Sequence, residues 1–228
     1  MIKIILCVGL ALTFLKLPVH GQQSKMDASE LAKKFYLAKK TNEEKVKDYS
    51  WQSRTDVTTK GDKVLDILIE AYHYGPDGKL QKKVINDQQA KLPSSFLLHK
   101  LAEKVKAELA TYMNDLHIFL GKYSFDDPTS GDLFFPKATI SSPDSDGQIL
   151  VSAENVITKG DKLSWWIDKD NYFLTKTSLS TTFEGGNIEF TVTYKNSQLG
   201  INYMEYAELL IPAKKLIVKV HYFNYKKN

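Results

Sequence analysis

The feature that most limits the fold is the stretch from residue 137 to 225, where apolar and polar residues alternate with a period of two and only short turn signals interrupt them. A period of two belongs to the extended strand, whose successive side chains point to opposite faces. The segments are Lys137–Ile140, Gln148–Val156, Lys162–Ile167, Tyr172–Phe183, Asn187–Lys195, Ile201–Ile211 and Leu216–Tyr225. Between them lie turn-forming runs such as Asp144-Ser145-Asp146-Gly147, Lys159-Gly160-Asp161 and Glu184-Gly185-Gly186-Asn187. Strands joined this tightly form antiparallel hairpins.

The first half repeats the pattern once and then breaks it. Asp27 or Ser29 caps a helix with Leu31, Phe35 and Ala38 at helical spacing, and Thr41 with Glu44 reads as a capping box at which the helix restarts or kinks before ending near Lys47. Three strands follow, from Tyr49, over Lys63–Tyr74 and over Leu80–Ile85, with Gly75-Pro76-Asp77-Gly78 closing the second hairpin. In the second strand Leu65, Ile67, Ile69 and Ala71 share a face.

Pro93-Ser94-Ser95 then opens a helix whose stripe of Leu98, Leu101, Ala102, Val105, Leu109, Met113, Leu116 and Leu120 lies opposite Lys100, Glu103, Lys104, Lys106 and Glu108. Such a helix covers an apolar surface with one face and meets water with the other. Leu133-Phe134-Phe135 forms an apolar plug or a single helical turn. The expected fold class is α+β: a strongly curved antiparallel sheet of about ten strands, an incomplete β-barrel, with the N-terminal helix and the long central helix on its concave face.

Residues 1–21 read as a signal peptide, with Lys3 before the apolar run Ile4–Leu15 and the small residue Gly21 at its end. That run is shorter than the roughly 20 residues that span a bilayer. Residues 22–228 then form one domain, secreted across the inner membrane. Cys7, the sole cysteine, leaves with the signal, so disulfides, thiol catalysis and cysteine zinc sites are excluded from the mature chain. Loss of Lys3 and Lys16 lowers the formal charge of +4 to about +2, and the remaining lysines alternate with acids, which argues against nucleic acid.

No catalytic motif stands out. His73, His99, His117 and His221 have no metal-site partners, and Glu70, three residues before His73, falls on the other face of its strand. Asp144-Ser145-Asp146-Gly147 has Ser142 and Ala153 where a calcium loop needs its end ligands, so it reads as a turn. Trp165 and Trp166 point to opposite sides of one strand; one ring is core, and the other packs on a helix, is exposed or lines a cavity. Arg54, the only arginine, reads as a surface residue paired with a nearby acid.

Leu163-Ser164-Trp165-Trp166-Ile167-Asp168 followed by Tyr172-Phe173-Leu174-Thr175-Lys176 resembles a unit of the periplasmic lipoprotein-carrier family, the LolA/LolB-like fold. Phe183-Glu184-Gly185-Gly186-Asn187 and Leu210-Ile211-Pro212 are similar to its later hairpins, and the order of elements matches over most of the chain. The family's lid-fastening arginine lies in an aromatic-flanked strand motif that this sequence lacks, so that role is not transferred to Arg54.

The resemblance implies a half-open barrel with a helical lid: a non-catalytic, monomeric periplasmic carrier of a lipid or lipoprotein acyl chain. Its partners would be the hydrophobic ligand and an envelope protein, with peripheral membrane contact, and no cofactor or metal is implied. Candidate cavity and lid residues are Trp51, Ile67, Leu98, Leu101, Val105, Leu109, Met113, Trp165 and Trp166. The alternative is a non-catalytic envelope interaction or sensor module that uses Tyr203, Tyr206, Tyr222 and Tyr225 as a contact surface.

Overall fold

The computed structural model describes residues 27–60, 64–89, 96–125, 131–197 and 200–228, with the side chains of 88–89, 96–103 and 105 left out. The expected signal peptide therefore lies outside the described residues. The chain runs α1 (Ala28–Val46), β1 (Tyr49–Thr59), β2 (Val64–Tyr74), β3 (Leu80–Gln89) and α2 (Phe96–Gly121). It continues through β4 (Thr139–Ile140), β5 (Gln148–Glu154), β6 (Lys162–Asp168), β7 (Leu174–Phe183), β8 (Gly186–Asn196), β9 (Asn202–Ile211) and β10 (Leu216–Lys227).

All ten strands join one sheet in the order β3-β2-β1-β10-β9-β8-β7-β6-β5-β4, and each pairing in it is antiparallel. Among the described residues β3 and β4 are the two edges, and the sheet does not close into a barrel. Consecutive strands are neighbours except β3 and β4. β1 pairs with β10, and the link from β3 to β4 must travel from one edge to the other.

That link explains the long helix. Nine interstrand spacings of about 4.8 Å make a sheet about 43 Å wide, and the 26 residues of α2, at about 1.5 Å each, reach about 39 Å. Along its described part α2 buries Tyr112 and Leu116 against Ile188, Leu209, Ile211, Leu216 and Val218, with Leu109 and Met113 packed beside them. α1 buries Leu31 and Phe35 in a second cluster around Trp165, Ile149, Val151, Leu163 and Leu179. Both helices therefore lie on the same face of the sheet, and Phe119, Leu120 and Phe190 touch both clusters.

Two local expectations are corrected. α1 runs unbroken through Thr41, whose hydroxyl donates to the Leu37 carbonyl at 2.9 Å and so stays within the helix instead of capping a new one. β4 is reduced to Thr139–Ile140, because a 3₁₀ turn over Phe135–Lys137 holds Pro136 and occupies the start of the expected strand. The apolar plug is present there: Phe134 and Phe135 are buried, with Phe134 4.6 Å from the Trp165 ring.

Candidate functional site

Between the helices and the inner face of the sheet a hollow of about 570 Å³ remains. Register decides which side chains form its floor. Trp165 of β6 pairs with Thr177 of β7, and Thr177 with Val192 of β8, so these three project together. Leu163, Leu179 and Phe190 continue the floor one step along. Phe35, Lys39, Asn42, Glu43 and Val46 of α1 form one wall, and Leu120 and Tyr123 at the end of α2 form another.

An aromatic row stands at the mouth. Trp51 lies between Tyr72 (5.6 Å, 7° between planes) and Tyr225 (5.7 Å, 10°), and Tyr225 meets Tyr203 at 4.0 Å. These rings come from β2, β1, β10 and β9, four adjacent strands, and a β-bulge makes the row possible. Gln52 pairs with Phe223 but Ser50 with Lys226, and Asn224 takes a left-handed φ of 57°. The extra residue reverses the alternation, so Tyr222 and Tyr225, three apart, both line the hollow.

The charges around the hollow are matched in pairs. Lys39 and Glu43 meet at 3.2 Å. Beside the aromatic row the buried Glu70 accepts from the Tyr72 hydroxyl at 2.7 Å and pairs with Lys82 at 3.2 Å. Burial pushes the Tyr72 phenol up to about 12, with the Ser53 hydroxyl working against this and the bond to Glu70 adding to it. Burial also raises Tyr222 and Tyr225. These phenols stay neutral at ordinary pH, so the row offers apolar ring edges and hydroxyls.

The Asn42 side chain helps to fasten α1 over the hollow. The Asn42 amide donates to the Asn202 carbonyl and accepts from the Asn202 N–H, both at 2.7 Å, occupying the start of β9 as a neighbouring strand would. The other end of the wall is held by Asp161, which is fully buried. Its carboxylate accepts from the backbone N–H of Val156 (2.6 Å), Ile157 and Thr158 (2.8 Å each) and from the Tyr123 hydroxyl (2.8 Å). Burial works to raise the Asp161 pKa, but the three N–H groups and Tyr123 outweigh it and hold it below the usual value. The sequence showed this residue only as part of a turn.

Of the residues singled out from sequence, Trp51 and Trp165 line the hollow. Ile67 and Trp166 do not. Ile67 pairs with Asp56 on the outer face, and Trp166 faces out under Lys176, 4.8 Å from its ring. Leu109 and Met113 pack on the α2 cluster beside the hollow, while the side chains of Leu98, Leu101 and Val105 lie outside those described. Arg54 pairs with Asp56 at 2.9 Å. Tyr203, Tyr222 and Tyr225 turn inward, and Tyr206 meets His221 at 4.7 Å in a tilted contact and donates to Glu208, so the four tyrosines form no common outer surface. Asp144 is used within its own turn, accepting from Asp146 and Gln148 N–H. Among the described residues no group of three or more His, Cys, Asp or Glu gathers as metal ligands do.

No protein-family model matches the chain, and no curated protein matches it. Among solved structures it is similar to a DUF1329 family protein from Desulfovibrio piger, at 10% identity over 89% of this chain and 94% of that one, with a TM-score of 0.41. It is also similar to a structure described as an outer membrane lipoprotein-sorting protein domain from Vibrio parahaemolyticus (8% identity, 88% and 93% covered, TM-score 0.43). A third is a LolA superfamily protein from Nitrosomonas europaea (9% identity, 89% and 94% covered, TM-score 0.33).

Proposed function

We propose that the protein is a periplasmic, non-catalytic carrier or binding protein for a lipid or lipoprotein acyl chain, held in the hollow between the sheet and its two helices. The observation that carries this reading is the hollow itself: about 570 Å³ of unfilled space over a floor of Trp165, Leu163, Leu179, Phe190 and Val192. Small-molecule sites span about 300–1,000 Å³, and the lining residues Trp51, Phe173, Leu174, Phe190 and Met204 are only partly buried, leaving apolar surface that a ligand would cover. Each methylene taken out of water contributes about 0.8 kcal/mol, so a chain burying about ten of them gains roughly 8 kcal/mol before the cost of association.

Pairing of Lys39 with Glu43 and the neutrality of the phenols also favour an uncharged cargo segment, since an unpaired charge in such a site would be heavily penalised. Among the described residues no helix is long and apolar enough to cross a membrane, which is compatible with a chain released after removal of residues 1–21. Native mass spectrometry of protein purified without detergent, followed by organic extraction, tests the reading. A co-purifying lipid, displaced by a fluorescent fatty acid, is the expected result. A ligand-free protein that fails to bind the fluorescent probe would refute it.

A further inference from the structure

The mouth of the hollow opens at one corner of the sheet, and its surface has a definite composition. The start of β1, the end of β10, the end of β2 and the start of β3 all meet there, since Tyr49 pairs with Lys227, Trp51 with Tyr72 and Tyr74 with Leu80. Leu80 lines the hollow and is itself half exposed, so the lining of the hollow reaches the outside there. Val84 and Ile85, further along the same edge strand, are also about half exposed. Trp51, Tyr72, Tyr74 and Tyr225, each partly exposed, stand beside them.

Lysines ring this corner. Lys226 and Lys227 end β10, Lys45 and Lys47 end α1, and Lys79 precedes Leu80; all are exposed. Acids offset them in part: Glu44 lies 2.8 Å from Lys47, Asp77 4.0 Å from Lys79, and Asp48 is exposed between Lys47 and Tyr49. Half-exposed aliphatic side chains, a Trp and Tyr row and surrounding lysines are what a membrane interface favours. Aliphatics enter the acyl boundary, amphipathic rings sit at headgroup depth, and lysine stems reach anionic headgroups.

We propose that this corner docks on a bilayer bearing anionic headgroups, presenting the mouth of the hollow to the lipid. The purpose this gives the surface, exchange of cargo with the membrane, rests on the carrier reading; the docking itself does not. β3 suits the task because, among the described residues, no strand lies beside its outer edge, so contact there requires no rearrangement of the sheet.

The test uses the protein in the form in which cells accumulate it, sedimented with vesicles of phosphatidylglycerol and phosphatidylcholine or of phosphatidylcholine alone. The expected result is binding to the anionic vesicles that falls with added salt and weakens roughly tenfold or more in the double variant Lys226→Glu, Lys227→Glu. Val84→Thr with Ile85→Asn, both at exposed positions, should weaken it further. Brominated lipid should quench tryptophan emission, and Trp51→Phe should abolish that quenching.

Binding of a fluorescent fatty acid in vesicle-free buffer is read in parallel. A lysine-reversed protein that keeps the probe and its unfolding midpoint but loses the vesicles supports the docking surface. Vesicle binding without probe binding refutes the carrier reading and leaves the docking surface standing. Failure to bind anionic vesicles at low salt, or equal binding to neutral ones, overturns it and leaves the corner to a protein partner.

Discussion

Replacing Asp161 by alanine tests whether the far wall of the hollow is held as described. Four short hydrogen bonds of 2.6–2.8 Å converge on this carboxylate, three of them from backbone N–H groups, and the side chain is 0% exposed. A buried donor left without its acceptor costs about 1–3 kcal/mol. Water admitted to the new space would satisfy some of the four, so the expected loss is about 3–5 kcal/mol rather than their full sum. For a chain of this size that lowers Tm by roughly 6–20 °C. Urea unfolding followed by tryptophan fluorescence measures it directly.

The variant carries a second signature. Because the folded-state pKa of Asp161 lies below the ordinary value, its contribution is present above the unfolded pKa of about 3.9 and is lost as pH falls through the folded value. Asp161→Ala should therefore flatten the loss of stability on acidification. Tyr123 lines the hollow and donates to Asp161, so the alanine variant should also bind a fluorescent fatty acid more weakly. A loss under 1 kcal/mol with an unchanged acid limb would refute the reasoning.

Other outcomes follow from the same geometry. Asn42→Ala removes both bonds to Asn202 and should cost about 1–2 kcal/mol, with faster hydrogen exchange at the Asn202 amide; unchanged exchange would contradict the clasp. The Thr177 hydroxyl is buried without a partner among the described residues, so Thr177→Val should leave the urea midpoint unchanged or raise stability by up to about 1 kcal/mol. Val192→Trp, set in the floor, should fill the hollow and abolish binding of the fluorescent fatty acid while the far-ultraviolet circular dichroism stays that of the parent.

The faces of the strands show where pattern reading stops. In β2 the more apolar set, Ile67, Ile69 and Ala71, pairs with Asp56, Arg54 and Gln52 on the outer face. The inner face carries Asp66, Leu68, Glu70 and Tyr72 instead. Reading the apolar face as the core face therefore fails, because here the inner face looks onto a hollow and holds the Ser53–Tyr72–Glu70 hydrogen bonds rather than packed side chains. Leu65 leaves its expected companions at a bulge and packs on the α2 cluster. Trp165 and Trp166 could be placed on opposite sides from alternation alone, but which ring faced the hollow could not.

Local order determined the elements. Period-two runs bounded by Gly, Asp, Asn and Pro settle where strands begin and turn, since the φ/ψ demands of a turn are met by the residues within it, and the three-four spacing after Pro93 settles the long helix. Tertiary structure alone decided the site. The row Tyr72–Trp51–Tyr225–Tyr203 exists because β1 pairs with β10 across the length of the chain and a single bulge at Asn224 resets the alternation. Backbone pairing between distant strands is indifferent to most side chains, so neither the partner nor the bulge leaves a local trace from which the hollow could have been drawn.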